Sequence, residues 1–242
     1  MQETPFLKTV LTKFNMTPSE SQAILFQKLE EFARSKSDFP LFIISGYAGT
    51  GKTSVLGAYV RALKHYKVET KLLAPTGRAA KVFSNKSNEN ALTIHKQIYR
   101  RKSKVDITSG LDLQPNLYKS TIFFVDEASM IGEYTKTKDG GVSARNLLDD
   151  LLEYVFSGVN CKLVLLGDTG QLPPVGSDFS PALNEEYMRN NYPKMHLFSF
   201  QLKEVLRQSR DSEILRNATL LRNTNWVDYP KFHLKPDTDL VR

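Results

Sequence analysis

Apolar residues in this chain fall into short unbroken runs separated by amphipathic stretches. The runs cover residues 41–45, 71–74, 121–125, 162–166 and 195–200. Runs that do not alternate with polar residues mark parallel strands buried on both faces. Between them, apolar positions recur at helical spacing. One such stretch starts at Pro18 or Ser19 and carries Ile24, Leu25, Phe26 and Leu29. A second follows Gly51 with Val55, Leu56, Tyr59, Val60 and Leu63. A third holds Leu147, Leu148, Leu151, Leu152 and Val155, and a fourth Ile214, Leu215, Leu220 and Leu221. The alternation predicts an α/β fold: a doubly wound parallel sheet flanked by helices, with right-handed crossovers. Two stretches interrupt it. Residues 100–118 are basic first, then read Val105-Asp106-Ile107, Thr108-Ser109-Gly110, Leu111-Asp112-Leu113, which predicts a small inserted β-hairpin. Residues 132–143, with Asp139-Gly140-Gly141, predict a mobile surface loop.

Composition narrows the picture. A length of 242 residues with 40% hydrophobic suits one large domain or two small ones and excludes a disordered chain. No run of about 18 apolar residues predicts a membrane span. Met1-Gln2-Glu3-Thr4-Pro5 lacks the basic-then-apolar pattern of a secretory signal. The single cysteine, Cys161, excludes an internal disulfide and a multi-thiolate metal site, so the expected compartment is the cytoplasm. A net charge of +7 favours a polyanionic partner without saying which.

The strongest chemical signal is Gly46-Tyr47-Ala48-Gly49-Thr50-Gly51-Lys52-Thr53, which fits G-x-x-x-x-G-K-[ST] directly after a strand and at the start of a helix. Gly46, Gly49 and Gly51 let backbone N–H groups wrap a polyphosphate, with Thr50 and Ser54 completing the cradle. Lys52 is expected on the β- and γ-phosphates of ATP and the Thr53 hydroxyl on Mg²⁺. Val125-Asp126-Glu127 ends another strand and so delivers two carboxylates to the edge where ligands of such sheets bind. Asp126 is expected on Mg²⁺, and Glu127 as the general base for the attacking water. Alone, such a pair is a commonplace turn; the phosphate loop upstream raises its weight. Gly167-Asp168-Thr169-Gly170-Gln171 ends a neighbouring strand and runs into Leu172-Pro173-Pro174-Val175. Gln171 can contact a γ-phosphate or the lytic water, while a Pro-rich turn is the plain reading of the same residues.

Taken together these segments resemble the superfamily 1 helicases, and within them the RecD-like group, the exodeoxyribonuclease V alpha-subunit type. Ser19-Glu20-Ser21-Gln22 resembles the Q motif, which implies that Gln22 reads adenine. Gly46 to Thr53 looks like motif I, and Ala74-Pro75-Thr76-Gly77-Arg78-Ala79-Ala80 like motif Ia, a single-stranded DNA contact. Leu92-Thr93-Ile94-His95 is similar to motif Ib, Val125 to Met130 to motif II, and Gly167 to Val175 to motif III. Leu206-Arg207-Gln208-Ser209 resembles motif IV, whose arginine touches the γ-phosphate. The resemblance covers residues 17–215. It implies a RecA-like P-loop NTPase fold and an ATP-dependent DNA helicase that moves 5′-to-3′ in repair or recombination, with ATP and Mg²⁺ as cofactors. In that family a second RecA-like domain carries motifs V and VI. No second phosphate-facing arginine motif follows Arg222, so the chain is expected to be the first motor domain alone and poorly active by itself.

The single-stranded DNA track implied by the resemblance takes in Pro75, Thr76, Arg78, Phe83, Thr93, His95 and Pro174. Phe83 has two readings of equal weight, a base-stacking platform or a core aromatic on the helix after Gly77. His95 is a DNA contact or a buried hydrogen-bonded histidine. The run from His95 to Lys104 holds five Lys/Arg and no acid, as either a solvated face or a basic track to the hairpin, which acts as the duplex-splitting pin in the resembled family. Two rival functions remain: a different P-loop ATPase, or a fragment that binds nucleotide without unwinding.

Overall fold

The structure, a computed structural model, describes residues 4–101, 111–132, 146–171, 173–174 and 176–202. Its elements run α1 (Pro5–Phe14), α2 (Glu20–Arg34), β1 (Pro40–Gly46), α3 (Lys52–His65), β2 (Thr70–Ala74), α4 (Gly77–Ser87), β3 (Ala91–Thr93), α5 (Ile94–Ile98) and β4 (Tyr99–Arg101). Then come β5 (Leu111–Leu113), β6 (Ile122–Val125), α6 (Leu147–Ser157), β7 (Lys162–Gly167), α7 (Glu185–Asn191) and β8 (His196–Leu202). Six strands form one sheet in the order β3-β2-β6-β7-β1-β8, and every pairing in it is parallel. This is the doubly wound α/β sheet that the apolar runs predict.

Alternation within each strand divides the interior into two cores. Phe42 and Ile44 of β1, Leu72 of β2, Phe124 of β6 and Val164 of β7 pack beneath α1 to α4. Their neighbours Leu41, Ile43, Leu73, Phe123 and Leu163 pack against the opposite layer, where α6 supplies Leu148, Leu151 and Val155. Strands apolar at every position therefore belong between two helical layers.

Helix starts follow local chemistry. Ser19 caps α2 in a reciprocal capping box: its hydroxyl accepts from the Gln22 amide, and the Gln22 side chain accepts from the Ser19 amide. Thr4 caps α1 ahead of Pro5. Mid-helix Gly57 lies where α3 touches the end of α4: a Cβ there would sit 2.8 Å from the Lys86 carbonyl oxygen.

The inserted pair differs in detail from its prediction. Leu111–Leu113 is a strand as expected, but its antiparallel partner is Tyr99–Arg101, with Tyr99 opposite Leu113. The cause is the early end of α5, where Tyr99 turns extended at φ −111° and ψ 151°. Residues 105–107, expected as the first arm, lie outside the described residues, as do all but the first residue of the loop expected at 132–143, Arg207 and the helix expected at 214–221.

Candidate nucleotide site

Three neighbouring strands, β6, β7 and β1, end side by side, and each ends in a segment that carries chemistry. After β1 the chain turns through residues 47–51 into α3. Gly49 at φ 87° and Gly51 at φ 82° hold left-handed conformations that suit glycine. Gly51 caps α3 without a side-chain hydrogen bond, so the first-turn N–H groups point at the loop with no side chain in the way. Gly46 is needed for space: a Cβ there would sit 2.8 Å from the Leu202 carbonyl oxygen of β8.

Lys52 folds back over its own loop. Its Nζ donates to the carbonyls of Gly46 at 2.6 Å and Tyr47 at 2.9 Å. Thr50 is fully buried, and its hydroxyl also donates to Tyr47, at 2.9 Å. Gln22 Nε2 donates to the Thr50 carbonyl at 3.1 Å, which ties the start of α2 to the loop. Gln22 thus serves as both helix cap and loop brace, and it lines the cleft in front of the loop.

Asp126 follows β6, its amide still paired to the Leu73 carbonyl. Its Oδ1 accepts from the Glu127 amide at 2.9 Å, and the Thr53 side chain lies near enough to the same carboxylate to favour its charged form. Burial, and secondarily the Glu127 charge, push Asp126 up from 3.8 to about 6. Glu127 takes a left-handed φ of 56° and swings the chain into a short 3₁₀ turn over Ala128–Met130. From that turn the buried Ser129 hydroxyl donates to Gln171 Oε1 at 3.4 Å, which links the segments after β6 and β7. Asp168, 1% exposed, accepts the Gly170 amide on Oδ1, while its Oδ2 has no hydrogen-bond partner among the described residues.

These groups meet in one open cleft of about 550 Å³. Lys52, Thr53, Ser54, Asp126, Glu127 and Gln171 all line it. A cavity of about 620 Å³ lies instead at the amino ends of β1 and β7, between residues 33–40 and 156–162. Of its two lysines, Lys36 and Lys162, the second already donates to the Phe32 and Ser35 carbonyls. Ligands of open α/β sheets bind at the carboxyl ends, so the smaller cleft is the candidate site.

Of the residues expected on DNA, Pro75, Thr76, Arg78, Thr93 and His95 occupy the other half of the same edge, at the ends of β2 and β3, while Pro174 follows β7. The Thr76 hydroxyl caps α4 by accepting from Ala79, and Thr93 caps α5 by accepting from Lys96, each at 3.2 Å. Pro75 is half-buried and Arg78 exposed. His95 is half-buried with its ring 5.5 Å from that of Tyr99, and burial lowers its pKa. Pro174 is half-buried. Phe83 requires a correction: it is 0% exposed and belongs to the core under α1 to α4, so it is a packing residue with no face open to a base.

Sequence reasoning missed part of the cleft. Phe14, Met16 and Thr17 line it beside Gln22, delivered by α1. The signal was present: Thr4-Pro5 opens a stretch with Phe6, Leu7, Val10, Leu11 and Phe14 at helical spacing. Lys86, at the far end of α4, also lines the cleft and carried no motif.

A family model described as an AAA domain matches residues 27–227. The chain is 29% identical over 147 residues to the ATP-dependent DNA helicase Pif1 of a Psychrobacter species, covering 55% of this chain and 20% of that protein. It is 29% identical over 163 residues to the ATP-dependent RecD2 DNA helicase of Deinococcus radiodurans, 65% of this chain and 18% of that one. Against the helicase dda of Enterobacteria phage T4 it is 28% identical over 190 residues, 76% of this chain and 38% of the relative. The chain thus spans well under half the length of each. The crystal structure of the Pif1 helicase from Candida albicans superposes with a TM-score of 0.53 at 20% identity, over 87% of this chain and 45% of that one, which supports the RecA-like fold. Near-equal identities to three differently named helicases do not single out the RecD-like group. The chain belongs to the AAA-domain family, and the three relatives compared are named as ATP-dependent DNA helicases.

Proposed function

We propose that the chain is the nucleotide-binding motor domain of an ATP-dependent DNA helicase that translocates on single-stranded DNA. The observation that carries this reading is the convergence of the segments after β1, β6 and β7 on one cleft. Lys52 already points its ammonium at loop carbonyls that a triphosphate would replace as its partner. The Thr53 hydroxyl and the Asp126 carboxylate line the same cleft, and an all-oxygen pair of this kind fits Mg²⁺. Held by these two residues, the ion would supply positive charge against the charge that develops on the transferred phosphate. Glu127, beside it, takes the proton of the attacking water, and Gln171, held by Ser129, orients that water or the γ-phosphate. For Gln22 to read adenine, its side chain, 1% exposed and bonded to Ser19 and Thr50, exchanges one of those partners for the base, with Phe14 and Met16 as the apolar wall.

Single-stranded DNA lies along the ends of β2 and β3, on Pro75, Thr76, Arg78, Thr93 and His95, with Pro174 nearby. Nucleotide and DNA then share one strand edge, so a change of state at β6 is one strand away from β2. The RecD-like resemblance supports 5′-to-3′ movement and a pin-like role for the β4–β5 pair. Arg207 supplies a further cation at the γ-phosphate. Calorimetric titration of MgATP, then ATP turnover with and without single-stranded DNA in the full-length protein, tests the reading. Absence of MgATP binding removes the nucleotide site; turnover indifferent to DNA points to a different P-loop ATPase.

A further inference from the structure

Lys86 belongs to no motif, yet it lines the cleft with Thr53, Ser54, Asp126 and Glu127. It sits in the last turn of α4, the helix that begins at Gly77 beside the expected DNA track. That last turn is fixed in place. Arg61 of α3 donates from Nη1 to the Lys86 carbonyl at 2.7 Å and from Nη2 to the Lys13 carbonyl at 2.9 Å. Gly57 leaves room for the approach, since any side chain there would meet the Lys86 carbonyl. A glycine inside a helix costs about 1 kcal/mol relative to alanine, so the close fit is what this position gains. The Lys86 ammonium itself has no hydrogen bond or ion pair among the described residues. Its charge acts on Asp126, opposing the upward push of burial and of Glu127.

We propose that Lys86 is a second cation of the phosphate site, supplied by α4, which contacts the polyphosphate of bound nucleotide. The inference rests on the reading of the cleft as a nucleotide site. It names a contact that the phosphate loop does not make and gives the helix from the DNA-facing edge a charge in the nucleotide cleft. Backbone anchorage sets where the helix end lies, and the flexible exposed stem lets the ammonium follow the ligand.

The test is a charge series in the 242-residue chain, read by calorimetric titration with MgATP at two salt concentrations. Lys86→Ala should weaken MgATP about fivefold, the scale of one solvated charge pair. Lys86→Arg should stay close to wild type, and Lys86→Glu should bind more weakly than Lys86→Ala. The affinity of wild type should also fall more steeply with salt than that of Lys86→Ala. Without nucleotide the thermal midpoint should be unchanged in Lys86→Arg and only slightly lower in Lys86→Ala and Lys86→Glu, because the charge acts on Asp126 from an exposed position, and circular dichroism should show all three folded as wild type. Lys52→Ala is the control. If it loses MgATP while Lys86→Ala and Lys86→Glu bind as wild type does, the role of Lys86 is refuted and the nucleotide site stands. If wild type itself does not bind MgATP, both fall together.

Discussion

Replacing Asp126 by asparagine should stabilise the nucleotide-free protein while removing its response to Mg²⁺. Asp126 is 5% exposed and lies beside Glu127, and its pKa rises from 3.8 to about 6. The folded protein therefore holds this proton more tightly than the unfolded chain does. Below pH 3.8 the group is protonated in both states and costs nothing; as pH rises through about 6, the folded state must carry a buried charge and loses stability. The gap from 3.8 to about 6 corresponds to about 3 kcal/mol. Asparagine removes the charge, and its oxygen can still accept the Glu127 amide bond of 2.9 Å. The Thr53 side chain and Lys86, which favour the charged carboxylate, lose that interaction, which returns about 1 kcal/mol of the gain. The net expectation is about 1–3 kcal/mol of added stability at pH 8, a rise in midpoint of about 2–4 °C per kcal/mol for a chain of this size. Thermal unfolding of both proteins in EDTA from pH 4 to 8 measures it. The difference should be near zero at pH 4, open through pH 6 and level off above pH 7. Adding MgATP should then reverse the order, because at 1,000 times Kd a ligand adds about 4.1 kcal/mol to the form that binds it. An asparagine variant no more stable than wild type at pH 8, or a difference that ignores pH, would refute the burial argument.

Other perturbations follow from the same geometry. Glu127→Gln keeps the size and removes the base, so MgATP affinity should hold while turnover by the full-length protein falls about 10²-fold or more, read by steady-state phosphate release. Gly57→Ala improves helix propensity but drives a methyl to 2.8 Å from the Lys86 carbonyl; urea denaturation should show a net loss of about 1–2 kcal/mol. Phe83→Ala should cost about 3–5 kcal/mol of stability as a core truncation. Measured on the fraction that remains folded, its single-stranded DNA affinity should match wild type, because Phe83 is 0% exposed.

The fold was legible because its strands are buried on both faces, which leaves a run such as Phe42-Ile43-Ile44 no polar position to blur its limits. The phosphate loop was legible because Gly49 and Gly51 take left-handed conformations that glycine adopts without strain, so the backbone requirement is written directly in residue type. Phe83 shows where this stops. An aromatic after a DNA-facing turn reads equally well as platform or core, and only the fold says that its position on α4 faces α1 to α4 rather than the strand edge. Leu111 to Leu113 alternates as a strand should, but alternation alone does not say that its partner is residues 99–101, because strand pairing is a tertiary choice. Lys86 is the extreme case. Nothing at residue 86 marks it as more than a solvated lysine near a helix end. It reaches the cleft only because Gly57, 29 residues earlier, has no side chain to hold α4 away. Motifs record groups whose chemistry depends on neighbours in sequence. A charge placed by the docking of two helices leaves no local pattern, so such a residue has to be found from packing.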